Sequence, residues 1–315
     1  MAMHFSSKRK ERDKVKAFQW MLLLMVSVVL AYSCIKERPY PSLHASLDPD
    51  LQSALIASLK KELEPEFLKA IEEKRAAVVL VDITNLYRPR VATLNGDEMM
   101  YAASLPKIAI LLGAFVQIER GKMVLDDQTR QACIRMIRYS SNVDASLILN
   151  RVGMDNLAEI LQSDRFRFYD PEFNGGLWVG KDYSEAPVWK GDPLHQISHG
   201  ATAMQVARFY YLLFTNRLLP PELTKEMQEM LSDSGLKHKF VKGLEDRPGV
   251  KIYRKSGTWK NWHADSGVIV HENFRYIIVA LSQLANGAEK LSRLAATVDD
   301  LMKRRHTASS RSDIN

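Results

Sequence analysis

Ser104 and Lys107 stand three residues apart in the stretch AASLPKI (102–108), where the sequence predicts the start of a helix. Residues at i and i+3 share a helix face, so a Ser hydroxyl and a Lys amine at this spacing come within hydrogen-bond reach in a first turn. That is one way to activate a serine. Alone the pattern is weak, because Ser, Pro and Lys are all common at helix starts. Two further motifs follow in order: YSSN, with Ser140, Ser141 and Asn142, and RKSGT, with Lys255, Ser256, Gly257 and Thr258 at the end of a predicted strand. Each by itself also suits a turn or the end of an edge strand. The ordered triple is far more specific than any member.

The elements that must position these residues are legible in the hydrophobic pattern. Asp48 and Pro49 suit the start of a helix in which Leu51, Leu55, Leu59 and Leu63 recur every fourth residue until Pro65 interrupts. AAVVLVDI (76–83) reads as a buried strand and RVATLN (90–95) as its hairpin partner. From Ser104 to about Leu219 the signals are mostly helical. Strands return at 249–257, 265–270 and 275–282, before an amphipathic helix with Leu291, Leu294, Ala295, Val298 and Leu301 on one face. Consecutive antiparallel strands usually neighbour one another. The expectation is therefore an α+β fold: one antiparallel five-stranded sheet flanked by N- and C-terminal helices, plus an all-helical lobe. Ser104 would sit at the junction, where a small-molecule cleft is expected.

The 315 residues are 46% apolar, ample for a core, and the net charge of +7 is confined to the ends. Six Lys or Arg face two acids in residues 1–16, four face one acid in residues 303–315, and these account for all of it. The body is formally neutral, which argues against a nucleic-acid footprint. Ala17–Ile35 is a run of nineteen residues without a charge behind a basic flank, the pattern of a secretory signal or membrane anchor. LAYSC (30–34) distantly resembles a lipoprotein cleavage site, with Cys34 as the lipidated residue; an uncleaved anchor fits better. The expected layout is a basic cytoplasmic tail (1–16), the signal/anchor segment (17–35), a linker (36–47), a domain at 48–303 and a basic C-terminal tail (304–315). The domain would then be periplasmic or otherwise extracytoplasmic, tethered to the membrane. Cys133, between Ala132 and Ile134, reads as a small buried hydrophobe.

On its three motifs the chain resembles the serine β-lactamase and penicillin-binding protein superfamily, whose signatures are S-x-x-K, S-D-N and K-T-G. It is most similar to the class A β-lactamases, and the likeness covers about residues 48–303. The resemblance implies Ser104 as nucleophile, Lys107 taking up its proton and Ser140 relaying a proton to the leaving nitrogen. It implies Asn142 on the substrate amide, Lys255 and Thr258 on a carboxylate, and Gly257 where the strand must approach the substrate. The N–H groups of Ser104 and Trp259 would form the oxyanion hole. DPEFN (170–174) resembles the E-x-x-L-N stretch of the Ω loop, so Asp170, or alternatively Glu172, would activate the deacylating water, with Asn174 matching the family's Asn.

Two departures stand out. Ser140 follows Ser104 by only 36 positions, and the loop from Asp170 to Met204 is long. The implied activity is hydrolysis of a β-lactam or related amide through an acyl-enzyme at Ser104. The alternatives are a D-alanyl-D-alanine carboxypeptidase or other penicillin-binding cell-wall enzyme, and a non-catalytic binder of cell-wall peptides. The ligand would be a small-molecule β-lactam or a peptidoglycan peptide, the chain a monomer, and no metal or organic cofactor is implied. His195 and His199 are spaced i,i+4 but read as loop residues rather than a metal site. Phe173, Trp178, Tyr183 and Trp189 read as packing of the extended loop on itself.

Overall fold

The computed structural model describes residues 40–184 and 190–312. The basic tail 1–16, the segment 17–35, residues 36–39 and Trp189 lie outside the described residues. Among those described, no helix is long and apolar enough to cross a membrane.

From Pro41 onward the chain forms one compact unit. The end of the expected linker belongs to it. Leu43 is buried, and Asp48 donates its N–H to Val91 O at 2.9 Å, so apolar burial and a strand contact draw this stretch onto the sheet. Helix α1 (Pro49–Glu62) starts where Asp48 accepts from Leu51 N at 2.7 Å, with Pro49 at its first position. It is followed by α2 (Pro65–Glu72), β1 (Ala76–Asp82) and β2 (Arg90–Leu94). The helical block comprises α3 (Lys107–Glu119), α4 (Asp127–Arg138), α5 (Asn142–Val152) and α6 (Met154–Gln162), then α7 (Ala203–Phe214) and α8 (Pro221–Leu231). Between α6 and α7 the described residues form no α-helix; the short strand His199–Ala201 pairs with Trp178–Val179 on one side and Met100–Tyr101 on the other.

The chain closes with β3 (Lys251–Trp259), β4 (Trp262–Val270), β5 (Arg275–Gln283) and α9 (Gly287–Ser312). The five main strands form one antiparallel sheet in the order β2-β1-β5-β4-β3. β1 is buried along its whole length, which explains its unbroken apolar run. On one face Val78, Leu80, Ile278 and Ala280 join Leu51, Leu55 and Leu59 of α1 and Leu291, Leu294 and Val298 of α9 in a single core. At about 25 cal/mol per Å² of apolar area buried, such a core is the main favourable term of folding. α9 runs on through residues 304–312, which the sequence reads as a tail; His306 helps to hold it there, its Nε2 lying 3.1 Å from Asp82 Oδ2. For the site, the decisive result is that β3 lies at the sheet edge, facing the start of α3.

Candidate active site

Ser104 is not the first residue of a helix. The chain leaves the short strand at Tyr101, bends through Ala103 at φ 51, and becomes helical at Lys107. Pro106 accounts for the delay, because a proline disfavours the helical conformation in the residue before it. Ser104 therefore stands at a strained corner, with its neighbour Ala102 fixed by N–H donation to His199 O at 2.8 Å. Residue strain of this kind clusters at functional sites.

Lys107 is fully buried. Its Nζ donates to Ser140 O and Asn142 Oδ1, both at 2.7 Å, and lies 3.2 Å from Ser104 Oγ and 3.4 Å from Ser140 Oγ. Burial lowers its pKa to about 7, since the apolar surroundings penalise the ammonium form. A substantial fraction is then neutral amine near neutrality, able to accept the Ser104 proton. Ser140 is itself held in a left-handed conformation at φ 59, and Ser141 caps α5 through Asp144 N at 3.2 Å. Arg135 braces that turn with hydrogen bonds of 2.6 and 3.0 Å to Asp144.

From the other side Lys255, also buried, places its Nζ 3.0 Å from Ser140 Oγ and 2.6 Å from Ser256 O. Its pKa is pushed well down by burial first, then by the charges of Lys107, Arg254 and Lys239. Ser140 Oγ thus lies between two amines, a geometry suited to passing a proton.

Gly257 lies where β3 passes against the backbone of Ala102 and Ser104. A Cβ there would come within 2.1 Å of Ala102 O and 2.8 Å of Ser104 N, so only glycine permits the approach. The register of the hairpin corrects one expectation. Trp259 pairs with Trp262 across the two-residue turn Lys260–Asn261, and the pair closing such a turn exchanges both hydrogen bonds. By alternation Gly257–Ala264 is the next bonded pair, and Thr258 faces away from β4. Lys239 agrees: its Nζ donates to both Gly257 O and Ala264 O, which converge only in a bonded pair. The N–H presented to the cleft beside Ser104 is therefore that of Thr258, while that of Trp259 is turned into the sheet. The indole of Trp259 still lines the cleft, half-exposed.

The cleft holds about 490 Å³, and Asn142 and Thr258 line it together with Ser104. Its aromatic wall runs from Trp262 through Tyr101 and His199 to Tyr183, with successive ring centroids 6.0, 6.3 and 4.4 Å apart. Tyr183 does more than pack its own loop: Lys107 Nζ lies 4.3 Å from its ring centroid, and its hydroxyl donates to Ala103 O at 3.2 Å. His199 sits behind it with Nε2 3.0 Å from Lys181 O, and burial lowers its pKa to about 4, so it is neutral at physiological pH.

Asp170, Glu172 and Asn174 are not brought to Ser104. Asp170 is buried in a separate pocket of about 300 Å³, where Oδ1 accepts from Glu172 N at 3.0 Å and Oδ2 lies 2.6 Å from Arg167 Nη2. Glu172 is exposed and pairs with the same guanidinium at 2.9 Å. Asn174, left-handed at φ 57, donates to Asp97 O at 2.9 Å. The stretch forms a one-turn helix capped by Asp170, and that local capping takes up the carboxylate. His195 lies 3.0 Å from Asn174 Oδ1 and away from His199's partners, and no metal-binding cluster occurs among the described residues. Trp178 is buried against Tyr169, and Phe173 stacks on His44.

The fold is that of class A β-lactamases and their relatives. A β-lactamase from Sphaerobacter thermophilus is 16% identical with a TM-score of 0.62, over 78% of this chain and 95% of that one. A mutant of PBP-A, solved as an acyl-enzyme complex with penicillin G, is 15% identical with a TM-score of 0.61, over 82% and 98%. A variant of the class A β-lactamase of the last common ancestor of Gram-negative bacteria is 20% identical with a TM-score of 0.57, over 74% and 95%. No curated protein sequence matches the chain significantly. The profile of the beta-lactamase enzyme family matches residues 62–132 and 128–302, most of the chain, which therefore belongs to that family.

Proposed function

We propose that the chain is a serine hydrolase that forms an acyl-enzyme at Ser104 with a β-lactam or a related amide. The observation that carries this reading is Lys107 Nζ, buried and 3.2 Å from Ser104 Oγ, with Ser140 Oγ between Lys107 and Lys255. In the acylation step neutral Lys107 takes the Ser104 proton as Oγ bonds to the carbonyl carbon. The carbonyl electron pair moves onto oxygen, which the N–H groups of Ser104 and Thr258 stabilise. Collapse restores the carbonyl and breaks the C–N bond. The departing nitrogen takes the Ser140 proton, which the Lys107 ammonium replaces.

One observation favours a cell-wall enzyme that β-lactams acylate over a rapid β-lactamase: Lys107 has no carboxylate among its hydrogen-bond partners, and Asp170 is engaged elsewhere. The test is intact mass spectrometry of the protein at successive times after mixing with a penicillin, with Ser104→Ala as control. A persistent adduct on the wild type alone supports the cell-wall reading, and an adduct that clears as penicilloate accumulates supports a β-lactamase. Labelling of Ser104→Ala would overturn the nucleophile assignment. We read residues 17–35 as an anchor that holds this domain outside the cytoplasm; protection of the domain from protease in intact cells until the envelope is permeabilised is the expected result for a periplasmic site.

A further inference from the structure

Lys239 is a cation placed where no motif calls for one. Its side chain is buried, and its backbone is left-handed at φ 54, a conformation unfavourable for a residue with a Cβ. Nζ lies 2.5 Å from Gly257 O, 2.8 Å from Thr258 Oγ1 and 2.9 Å from Ala264 O. The two carbonyls can only accept, so Nζ donates to both, and the Thr258 hydroxyl is its third partner. All three contacts are directed at the end of β3 and its partner strand. Gly257 O belongs to the peptide unit whose other end is Thr258 N–H, the donor that β3 presents to the cleft.

We infer that Lys239 is a positioning residue for the oxyanion hole: its ammonium polarises the Gly257–Thr258 peptide from the carbonyl end and fixes the plane in which Thr258 N–H meets the developing negative charge. This rests on the acyl-enzyme reading above. A hydrogen bond accepted by a carbonyl strengthens the donor at the far end of the same amide, and a charged donor does so more than a neutral one. The strained backbone has a role in the same arrangement. It turns Lys239 beneath the strand while the next residue, Phe240, donates its N–H to Asp265 Oδ2 at 3.0 Å. Burial lowers the pKa of Lys239 to about 8, partly offset by Asp265, so the ammonium persists at neutral pH. With Nζ buried among these three protein oxygens, Lys239 acts through the strand and not by contact with substrate.

The test compares wild type with Lys239→Met and Lys239→Gln. It measures the acylation rate constant and the encounter affinity for a fluorescent penicillin, together with the affinity for phenylboronic acid, whose Ser104 adduct places an oxygen in the oxyanion hole. Removing an oxyanion donor outright costs roughly 10²–10³-fold, so weakening one is expected to cost about 10–100-fold in Lys239→Met. Boronate affinity should fall in proportion, and encounter affinity should stay within about threefold of wild type. Lys239→Gln, which can keep an N–H on Gly257 O without the charge, should lie between; it carries the test alone if the Met variant does not fold. Acylation at the wild-type rate in the folded variants, or a loss appearing equally in encounter affinity with boronate binding unchanged, overturns the inference. A wild type that reacts with neither probe overturns the acyl-enzyme reading, and the inference with it.

Discussion

The Ser104 cleft and the Asp170 pocket both bury charged groups, yet they are built on opposite electrostatic terms. In the cleft, Lys107 and Lys255 converge on neutral oxygens, with no carboxylate among their hydrogen-bond partners, and burial lowers the pKa of both. In the pocket, the buried carboxylate of Asp170 meets a guanidinium at 2.6 Å, and Arg208 and Arg217 also line the wall. A buried amine without a carboxylate among its hydrogen-bond partners is poised to exchange a proton, whereas a buried carboxylate that meets a guanidinium is fixed in place by that contact. The first arrangement suits chemistry and the second suits loop anchoring. Acylation and water activation are therefore unequally provided for.

The largest expected effect breaks the cleft's side of this contrast. Lys107→Met should lower the acylation rate constant by about 10²–10⁴-fold, the usual worth of a general base; stopped-flow labelling that finds a loss below fivefold would remove Lys107 from that role. Gly257→Ala comes next. Its methyl would meet backbone atoms of Ala102, Ser104 and Leu105, and the shift needed to relieve that should cost on the order of a hundredfold in acylation.

The pH profile sharpens the electrostatic claim. With neutral Lys107 as the proposed base and burial lowering its pKa to about 7, the acylation rate should fall about tenfold per unit as pH drops below that point and level off above it. A flat profile from pH 5 to 8 would contradict it.

The smallest kinetic effect is expected at the other region. Asp170→Asn should leave the rate of adduct loss within about twofold, while costing about 1 kcal/mol of stability or less, since Asn keeps the cap and only a half-exposed ion pair is lost. Thermal melts and adduct decay would measure both. If decay collapsed while the melt held, the loop would have to bring Asp170 to Ser104 during turnover, and the contrast between the two regions would fail.

The cleft was partly legible in the sequence because its motifs are local. Ser104 with Lys107, Ser140 with Asn142, and Lys255 with Gly257 and Thr258 each share one short segment, and the hydrophobic periods put those segments on a helix start, a turn and a strand end. Even the error at Trp259 had a readable remedy. Two residues separate Trp259 from Trp262, and that count sets which N–H groups face outward. Lys239, Tyr183 and His199 carried no such signal. Lys239 and Tyr183 sit in irregular segments and His199 opens a three-residue strand, where neither periodicity nor turn chemistry says which way a side chain points. DPEFN misled for a related reason: Asp before Pro predicts a local turn correctly, but a turn does not say which cavity it borders.

What the amino-acid sequence determined by itself was the set of strands and helices, since apolar period and caps act within a few residues, and the candidate groups for acylation. Tertiary structure alone decided how those groups are charged and which of them meet. Packing buries Lys107 and Lys255 beyond the reach of solvent, closes β3 onto Ser104, sets Lys239 beneath the Gly257–Thr258 peptide, and gives Asp170 to Arg167. A pKa depends on every neighbour in space, and most of these neighbours are far apart along the chain.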